Sequence, residues 1–350
     1  MQLAVMPPVA PMLARAAKEL PAGEWCYEPK WDGFRCVAFR DGDEVVLGSR
    51  NERPLTRYFP EVVDALRASL PERCVLDGEL VVAGPDGLDF DALSQRIHPA
   101  ASRVAMLSTA TPAELVAFDI LALGDDDLRG LGFDHRRELL EGAVPGGGGV
   151  HVTPLTRSRR TATDWFTRFE GAGLDGVVAK RPDQRYVEDQ RVMVKVKHER
   201  TAEFVVGGFR WYRGEPERAV GSLMLGLHDG DDLRHVGVIG SFPADQRRRL
   251  VEELAPLRQP ADHPWAGWAG VAGAAATAGS RWNAGKDQSF VPVDPVLVVE
   301  AAYEHLQGRR LRHTARFRRW RPDRLPSECT YEQLDVAVPA LLTEVLGARG

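Results

Sequence analysis

The sequence predicts an α+β fold in two parts, and three observations predict it. Strand-like runs alternate with helical spacings through the first half of the chain. The composition changes across residues 198–202. Beyond that point come several short strand candidates with one helix among them. A chain of 350 residues is long enough for two domains, which we place at 1–199 and 200–350.

The elements follow in order. Residues 1–27 are Pro-rich, with one short helical candidate near Leu13–Leu20. Cys36–Phe39 reads as a strand, Asp41-Gly42 as a turn and Val45–Leu47 as the returning strand, so Lys30 stands just before a hairpin. Pro60–Leu70 has helical spacing, with Val62, Val63, Leu66 and Leu70 on one side. Cys74–Ala83 has β composition but contains Asp77 and Glu79, and acids inside a strand point to solvent or to a site. Asp89–Ile97, Asp134–Gly142 and Thr163–Gly171 read as helices, Leu115–Leu121 as a buried strand, and Gly146–Gly149 as a flexible loop. Gly173–Lys180 is a strand with an acid at one end and a base at the other. In Val192–Lys197 lysines alternate with valines, which puts Lys195 and Lys197 on one face of a strand. Phe204–Gly208, Ser222–His228, Arg234–Ile239, Val296–His305 and Leu311–Trp320 are the later strands. With a helix at Asp245–Leu254 and a Gly/Ala-rich loop at Gly267–Ser280, they fit a small Greek-key barrel such as the OB fold.

Composition narrows the function. An apolar fraction of 44% and a charged fraction of 27% describe a globular protein. No apolar run is long enough to span a membrane, and no basic stretch precedes an apolar core as in a signal peptide. Cys26, Cys36, Cys74 and Cys329 form no Cys-x-x-Cys pair, which argues against zinc ribbons and suits a reducing cytoplasm. The net charge of −5 is unlike a plain nucleic-acid binder, but its distribution is uneven. Eight arginines lie between Arg309 and Arg324, with Asp323 as the only acid. Arg191, Lys195, Lys197, His198 and Arg200 form a second basic group. Arginines mixed with aromatics suit phosphate contact.

The central stretch is Glu28-Pro29-Lys30-Trp31-Asp32-Gly33-Phe34-Arg35. A solvated lysine has a pKa near ~10.4 and is a poor nucleophile at neutral pH. Partial burial and cationic neighbours release its proton. Taken alone, these eight residues fit a surface lysine beside a turn better than a nucleophile. The order of further motifs decides: Ser49-Arg50-Asn51, Asp77-Gly78-Glu79, Phe118-Asp119, Asp175-Gly176-Val177-Val178-Ala179-Lys180, Lys195-x-Lys197 and Arg321-Pro322-Asp323-Arg324.

This succession resembles the covalent nucleotidyltransferase superfamily, and within it the ATP-dependent DNA ligases, with the short stand-alone bacterial C type as the nearest likeness. The resemblance covers roughly residues 7–325. It implies an adenylation domain of antiparallel sheets and helices followed by an OB-fold barrel. It also implies a three-step reaction. A lysine attacks the α-phosphate of ATP and expels pyrophosphate, AMP passes to a 5′-phosphate at a nick, and the 3′-hydroxyl displaces AMP. Each step is governed by positioning and by neutralising phosphate charge.

By this resemblance Lys30 is the nucleophile and Phe118 stacks on adenine. Glu28 lies at the base edge, and Arg35 and Arg50 hold the nucleotide or the nick phosphate. Glu79 binds ribose or metal, Val178 lines the nucleotide pocket, and Lys195 and Lys197 contact the α-phosphate. Asp32, Glu79 and Asp175 are the carboxylates for a hydrated Mg²⁺ or Mn²⁺. Arg321 and Arg324 act on the leaving pyrophosphate, which requires the second domain to close over the first and then swing away about a hinge near His198–Ala202. There are two departures. Asp175 stands where the family usually has Glu, and Met193 stands where an aromatic is common.

The resemblance further implies a monomer acting on nicked duplex DNA in repair, with Ku or a repair polymerase as partners, and no separate N-terminal DNA-binding domain. An RNA ligase, a GTP-using capping enzyme and a non-catalytic OB-type binding protein are the competing readings. An NAD-dependent ligase would bring zinc cysteines and large C-terminal modules.

Overall fold

The structure, a computed structural model, describes residues 1–85, 87–213, 215–258, 262–265, 289–304, 306–334 and 341–347. The chain divides into two units, Met1–Lys197 with Ala337–Gly350, and His198–Val336.

Among the described residues, unit 1 contains eleven strands: β1 (Leu13–Ala17), β2 (Cys26–Pro29), β3 (Phe34–Asp41), β4 (Glu44–Ser49), β5 (Arg73–Gly84), β6 (Gly87–Leu88), β7 (Ala113–Leu123), β8 (Asp126–Asp127), β9 (Val150–Val152), β10 (Gly176–Lys180) and β11 (Arg191–Lys197). Its first helices are α1 (Pro60–Ser69), α2 (Phe90–Gln95), α3 (Ala101–Ala110), α4 (Phe133–Ala143) and α5 (Arg159–Arg168). One sheet has the order β1-β11-β10-β2, the other the path β4-β3-β5-β7-β8. Strand periodicity sorts their side chains. Val37 and Phe39 of β3 and Val75 of β5 pack with Met193 of β11 between the sheets, whereas Cys36, Ala38, Cys74 and Leu76 face the helices. Arg35, Asp77 and Glu79 share the period of Val37 and Val75, so they stand on the inter-sheet face.

Several elements differ from expectation. Leu13–Leu20 is not a helix: Leu13–Ala17 pairs in parallel with Arg191–Val196, because the open edge of β11 takes up its backbone groups. The helix expected at Thr163–Gly171 starts at Arg159, where the Ser158 side chain caps it by accepting from the Thr161 N–H, and it passes into a 3₁₀ turn at Phe169–Ala172. Helix α3 was not anticipated; its Ala-, Ser- and Thr-rich sequence buries only Val104 and Leu107.

Unit 2 contains β12 (Arg200–Trp211), β13 (Val220–Asp229), β14 (Asp232–Ile239), α6 (Ala244–Leu254), β15 (Val291–Tyr303), β16 (Leu306–Gln307), β17 (Arg310–Leu311) and β18 (Arg316–Trp320). The order β14-β13-β12-β15-β18 is antiparallel throughout. An isolated bridge from Ile239 to Ala315, with Ala315 N–H donating to the Val238 carbonyl, draws the two edges together into a barrel. The expected strand over Leu311–Trp320 is two strands, with Ala315 making this closing contact between them. The Gly/Ala-rich stretch Gly267–Ser280 lies outside the described residues.

The two ends of unit 2 are joined. Glu203 N–H donates to Gln333 Oε1 at 2.8 Å, and Gln333 Nε2 donates to the Glu203 carbonyl at 2.9 Å. The tail, expected in the second domain, groups with unit 1. Helix α7 (Leu342–Leu346) buries Leu342 and Val345 with Trp31, Trp165, Phe169 and Leu174. Among the described residues no helix is long and apolar enough to cross a membrane.

Candidate active site

Strand β2 ends at Pro29, and the next residue is gripped by the backbone. Lys30 N–H donates to the Gly176 carbonyl at 2.9 Å, and Asp175 N–H donates to the Lys30 carbonyl at 3.3 Å. Only glycine permits this approach at 176. Its φ is +147°, and a Cβ there would fall 2.0 Å from the Val196 carbonyl oxygen. The pairing sets Lys30 against Asp175. Lys30 Nζ lies 2.7 Å from Asp175 Oδ1, and Lys197 Nζ lies 2.8 Å from Oδ2. Asp175 is buried and shared by two cations.

On β11, Lys195 and Lys197 are half-buried on one face while Val194 and Val196 are buried on the other, as the alternation predicts. Val178 pairs with both Lys195 and Glu28 in the sheet. Burial lowers the Lys195 pKa, and the neighbouring cations Lys30 and Lys197 lower it further. Arg50 adds to that effect from the end of β4, so it belongs to the same electrostatic field although its side chain is exposed.

Arg35 is engaged differently from what was expected. Its guanidinium forks onto Asp77, Nε to Oδ1 and Nη2 to Oδ2 at 2.6 Å each, and donates to the Met12 carbonyl at 3.2 Å. Tyr186 completes the set, its hydroxyl donating to Asp77 Oδ2 at 2.6 Å. The guanidinium lies 4.5 Å from the centre of the Phe118 ring. Within this protein, then, Arg35 backs the aromatic wall. Asp119, the next residue, turns away into a fully buried pair with Arg136 at 2.7 and 2.9 Å.

Glu79 accepts from Gly33 N–H at 3.2 Å. Gly33 is again forced to be glycine, since a Cβ would meet the Leu80 carbonyl oxygen at 2.0 Å. Burial raises the Glu79 pKa to about 7; Arg35 and Lys30 oppose the shift and Asp32 adds to it. Near neutrality this carboxyl is therefore divided between its two protonation states. Below 4.5 it is protonated whether the chain is folded or not, and above about 7 it is ionised in both. Between those values the folded chain holds the extra proton, so rising pH removes stability. Glu79→Gln is expected to melt above wild type at pH values over about 7, with the gap closing toward 4.5. Melting curves across that range check this; a gap that does not change with pH would contradict it.

Among the described residues Asp32, Glu79 and Asp175 form no ready-made three-ligand cage, and a hydrated Mg²⁺ needs only one or two direct ligands. Both oxygens of Asp175 are paired with lysines, Glu79 already accepts from a backbone N–H, and among the described residues no group of three acidic, histidine or cysteine side chains could hold an ion.

Glu28 is buried beneath the site, with Lys180 Nζ at 2.8 Å from one oxygen and Arg137 Nη1 at 3.2 Å from the other. Neither Lys180 nor Arg137 stood out individually in the sequence. Lys180 was visible only as the last residue of a motif, and Arg137 as one charge on an amphipathic helix. Arg321 and Arg324 lie in unit 2. Arg321 forks onto Asp323 at 2.9 and 2.8 Å and also contacts Glu203 and Glu300, while Arg324 reaches Glu328 at 3.6 Å.

The sequence matches the ATP dependent DNA ligase domain family over residues 9–197 and the ATP dependent DNA ligase C terminal region over residues 216–324. It is 55% identical to DNA ligase C of Mycobacterium tuberculosis, across 99% of both chains. The chain belongs to the ATP-dependent DNA ligases. It is thus an ATP-using nucleotidyltransferase, and the capping and binding-protein readings give way to this family. The ligase is also 32% identical to the Mycobacterium bovis multifunctional non-homologous end joining protein LigD, over 93% of this chain and 40% of that protein. Among solved structures, a Lig E DNA ligase superposes with a TM-score of 0.56 at 17% identity, covering 89% of this chain and 99% of that one, which supports the fold.

Proposed function

We propose that this ligase seals 3′-hydroxyl/5′-phosphate nicks in duplex DNA through an AMP adduct on Lys30. The observation that carries the reading is the cluster at Lys30: an amine held by a buried acid, two further lysines on β11, and an aromatic wall backed by Arg35. In the first step the Lys30 nitrogen forms a bond to the α-phosphorus while the bond from that phosphorus to the pyrophosphate oxygen breaks. Asp175, at 2.7 Å, is placed to take the amine proton. Lys195 and Lys197 balance the charge on the α-phosphate oxygens. Phe118 stacks on adenine, Glu28 and Val178 bound the base, and Glu79 meets the ribose hydroxyls. Arg50 serves the nick phosphate, and Arg321 and Arg324 serve the leaving pyrophosphate.

We assign the work to DNA repair in the cytoplasm, as a monomer with Ku or a repair polymerase alongside. The likeness to an end-joining protein supports the repair part of this assignment.

Denaturing gels after incubation with labelled ATP or GTP test the core of the reading. We expect a covalent AMP adduct and sealing of nicked DNA, with GTP labelling weaker by at least about tenfold, because each buried polar group left unpaired costs ~1–3 kcal/mol. Comparable labelling by GTP contradicts this base choice, and faster sealing of nicked RNA than of nicked DNA contradicts the substrate.

A further inference from the structure

Trp31 follows the proposed nucleophile and is buried, at 4% exposure. Its indole N–H donates to Thr153 Oγ1 at 2.8 Å, and its carbonyl accepts from Lys30 Nζ at 3.4 Å. The Lys30 amine thus has two neighbours that orient it, the Asp175 carboxylate and the Trp31 backbone. Distant segments supply the apolar surroundings of the ring. Trp31 shares one buried cluster with Trp165, Phe169, Leu174 and, from α7, Leu342 and Val345. Phe118 packs against the same cluster.

Helix α7 has only five residues, too few to form a stable helix in water, so packing makes it. Leu342 and Val345 stand at i and i+3 and face the same way. Val345 has no exposed surface, whereas Leu341 just ahead of the helix is 48% exposed. Burying two apolar side chains gains about as much as ordering the segment costs in conformational entropy. A small change at either residue is therefore enough to release the helix. What distinguishes this segment is its place, on the apolar side of the residue next to Lys30.

We propose that α7 is a positioning element that holds Trp31 and, through the Trp31 backbone, keeps the Lys30 amine aimed at the α-phosphorus. This rests on Lys30 as the nucleophile, as proposed above. While the ring is held, the carbonyl beside Lys30 is held and the amine keeps one direction. Once α7 leaves, the ring gains room and the amine spreads over more orientations. Such a loss slows the reaction of bound ATP without weakening its binding. It falls on the first step, because the lysine is the attacking group only there.

The test uses the full chain as wild type, Leu342→Ser/Val345→Ser, the milder Leu342→Ala, the conservative Leu342→Met, Trp31→Leu, and Trp31→Leu combined with Leu342→Ala. Each is assayed below its own melting transition. In the double tail variant, single-turnover self-adenylylation at saturating ATP should fall about tenfold. Its half-saturation for ATP and its sealing of a pre-adenylylated nick should stay within about twofold of wild type. Leu342→Ala should lose about threefold in the same step, which keeps the test usable if the double variant does not fold. Leu342→Met, which conserves volume, should keep the wild-type rate. Trp31→Leu should slow adenylylation to a similar extent, and adding Leu342→Ala to it should cost less than about a further twofold, because both act through one ring.

A tail that only adds stability would lower the melting temperature and leave the step-specific rates alone. Unchanged adenylylation in the folded tail variants overturns the proposal. So do equal losses in adenylylation and sealing, a loss carried by KM for ATP, or losses that multiply in the combined variant. If wild type forms no adduct, or forms it on a residue other than Lys30, the proposed function falls and the inference with it. If wild type forms the adduct on Lys30 and the tail variants match its rate, only the inference falls.

Discussion

Lys30→Ala is expected to abolish the AMP adduct and with it sealing driven by ATP, a loss of more than about 1000-fold. The fold should tolerate the change, since Asp175 keeps Lys197 at 2.8 Å and is not left as an unpaired buried charge. The joining of a nick that already carries AMP needs no lysine nucleophile and should persist within about tenfold of wild type. This contrast separates a lost nucleophile from a lost fold. Peptide mapping of the adduct is the check. An adduct that survives on Lys180, Lys195 or Lys197 would sink the assignment.

The second large effect concerns Arg321 and Arg324. If they serve the leaving pyrophosphate, Arg321→Ala or Arg324→Ala should slow adenylylation by about 100-fold, the usual cost of a lost transition-state charge partner. Sealing of a pre-adenylylated nick should fall only a few fold. The structure adds a condition. Arg321 is surrounded by Asp323, Glu203 and Glu300, and its exposed partner Asp323 is pulled down to about 2 by a hydrogen bond from the guanidinium. To meet a phosphate, the guanidinium has to exchange at least one carboxylate for it. Single-turnover rates on both substrates decide, with melting temperatures run alongside because Arg321 is also a structural hub. Equal losses in the two assays would make this segment a DNA clamp.

Much of the site was legible in the sequence because its chemistry sits in short contiguous motifs, and the alternation Val194-Lys195-Val196-Lys197 states its own geometry. What was not legible depends on pairings between distant segments. Leu13–Ala17 has no strand signal of its own and becomes a strand through the edge of β11. Arg35 reads as a free phosphate fork, but its fork closes on Asp77, a partner one strand away in the sheet and far along the chain. Asp119 reads as part of a nucleotide motif, and its side chain is spent on Arg136. The burial of Lys180 between Glu28 and the Phe118 carbonyl needs three segments at once, from β2, β7 and β10. The tail carries no local signal of where it packs. Leu342 and Val345 are ordinary apolar residues, and nothing local says which patch they cover.

That tail makes unit 1 discontinuous, and discontinuity carries an obligation about order. As the chain leaves the ribosome, the sheets of unit 1 are made first, yet Trp165, Phe169 and Leu174 await Leu342 and Val345, which emerge only after the whole of unit 2. A nascent chain therefore carries an open apolar face for as long as unit 2 takes to be translated. Bringing the tail back across an unfolded insertion means closing a long loop, with an entropic cost that grows with its length. The paired bonds between Glu203 and Gln333 shorten that loop, because once unit 2 is folded its two ends leave from one place. A folded unit 2 thus lowers the cost of sealing unit 1, and only a chain translated through Val345 completes both.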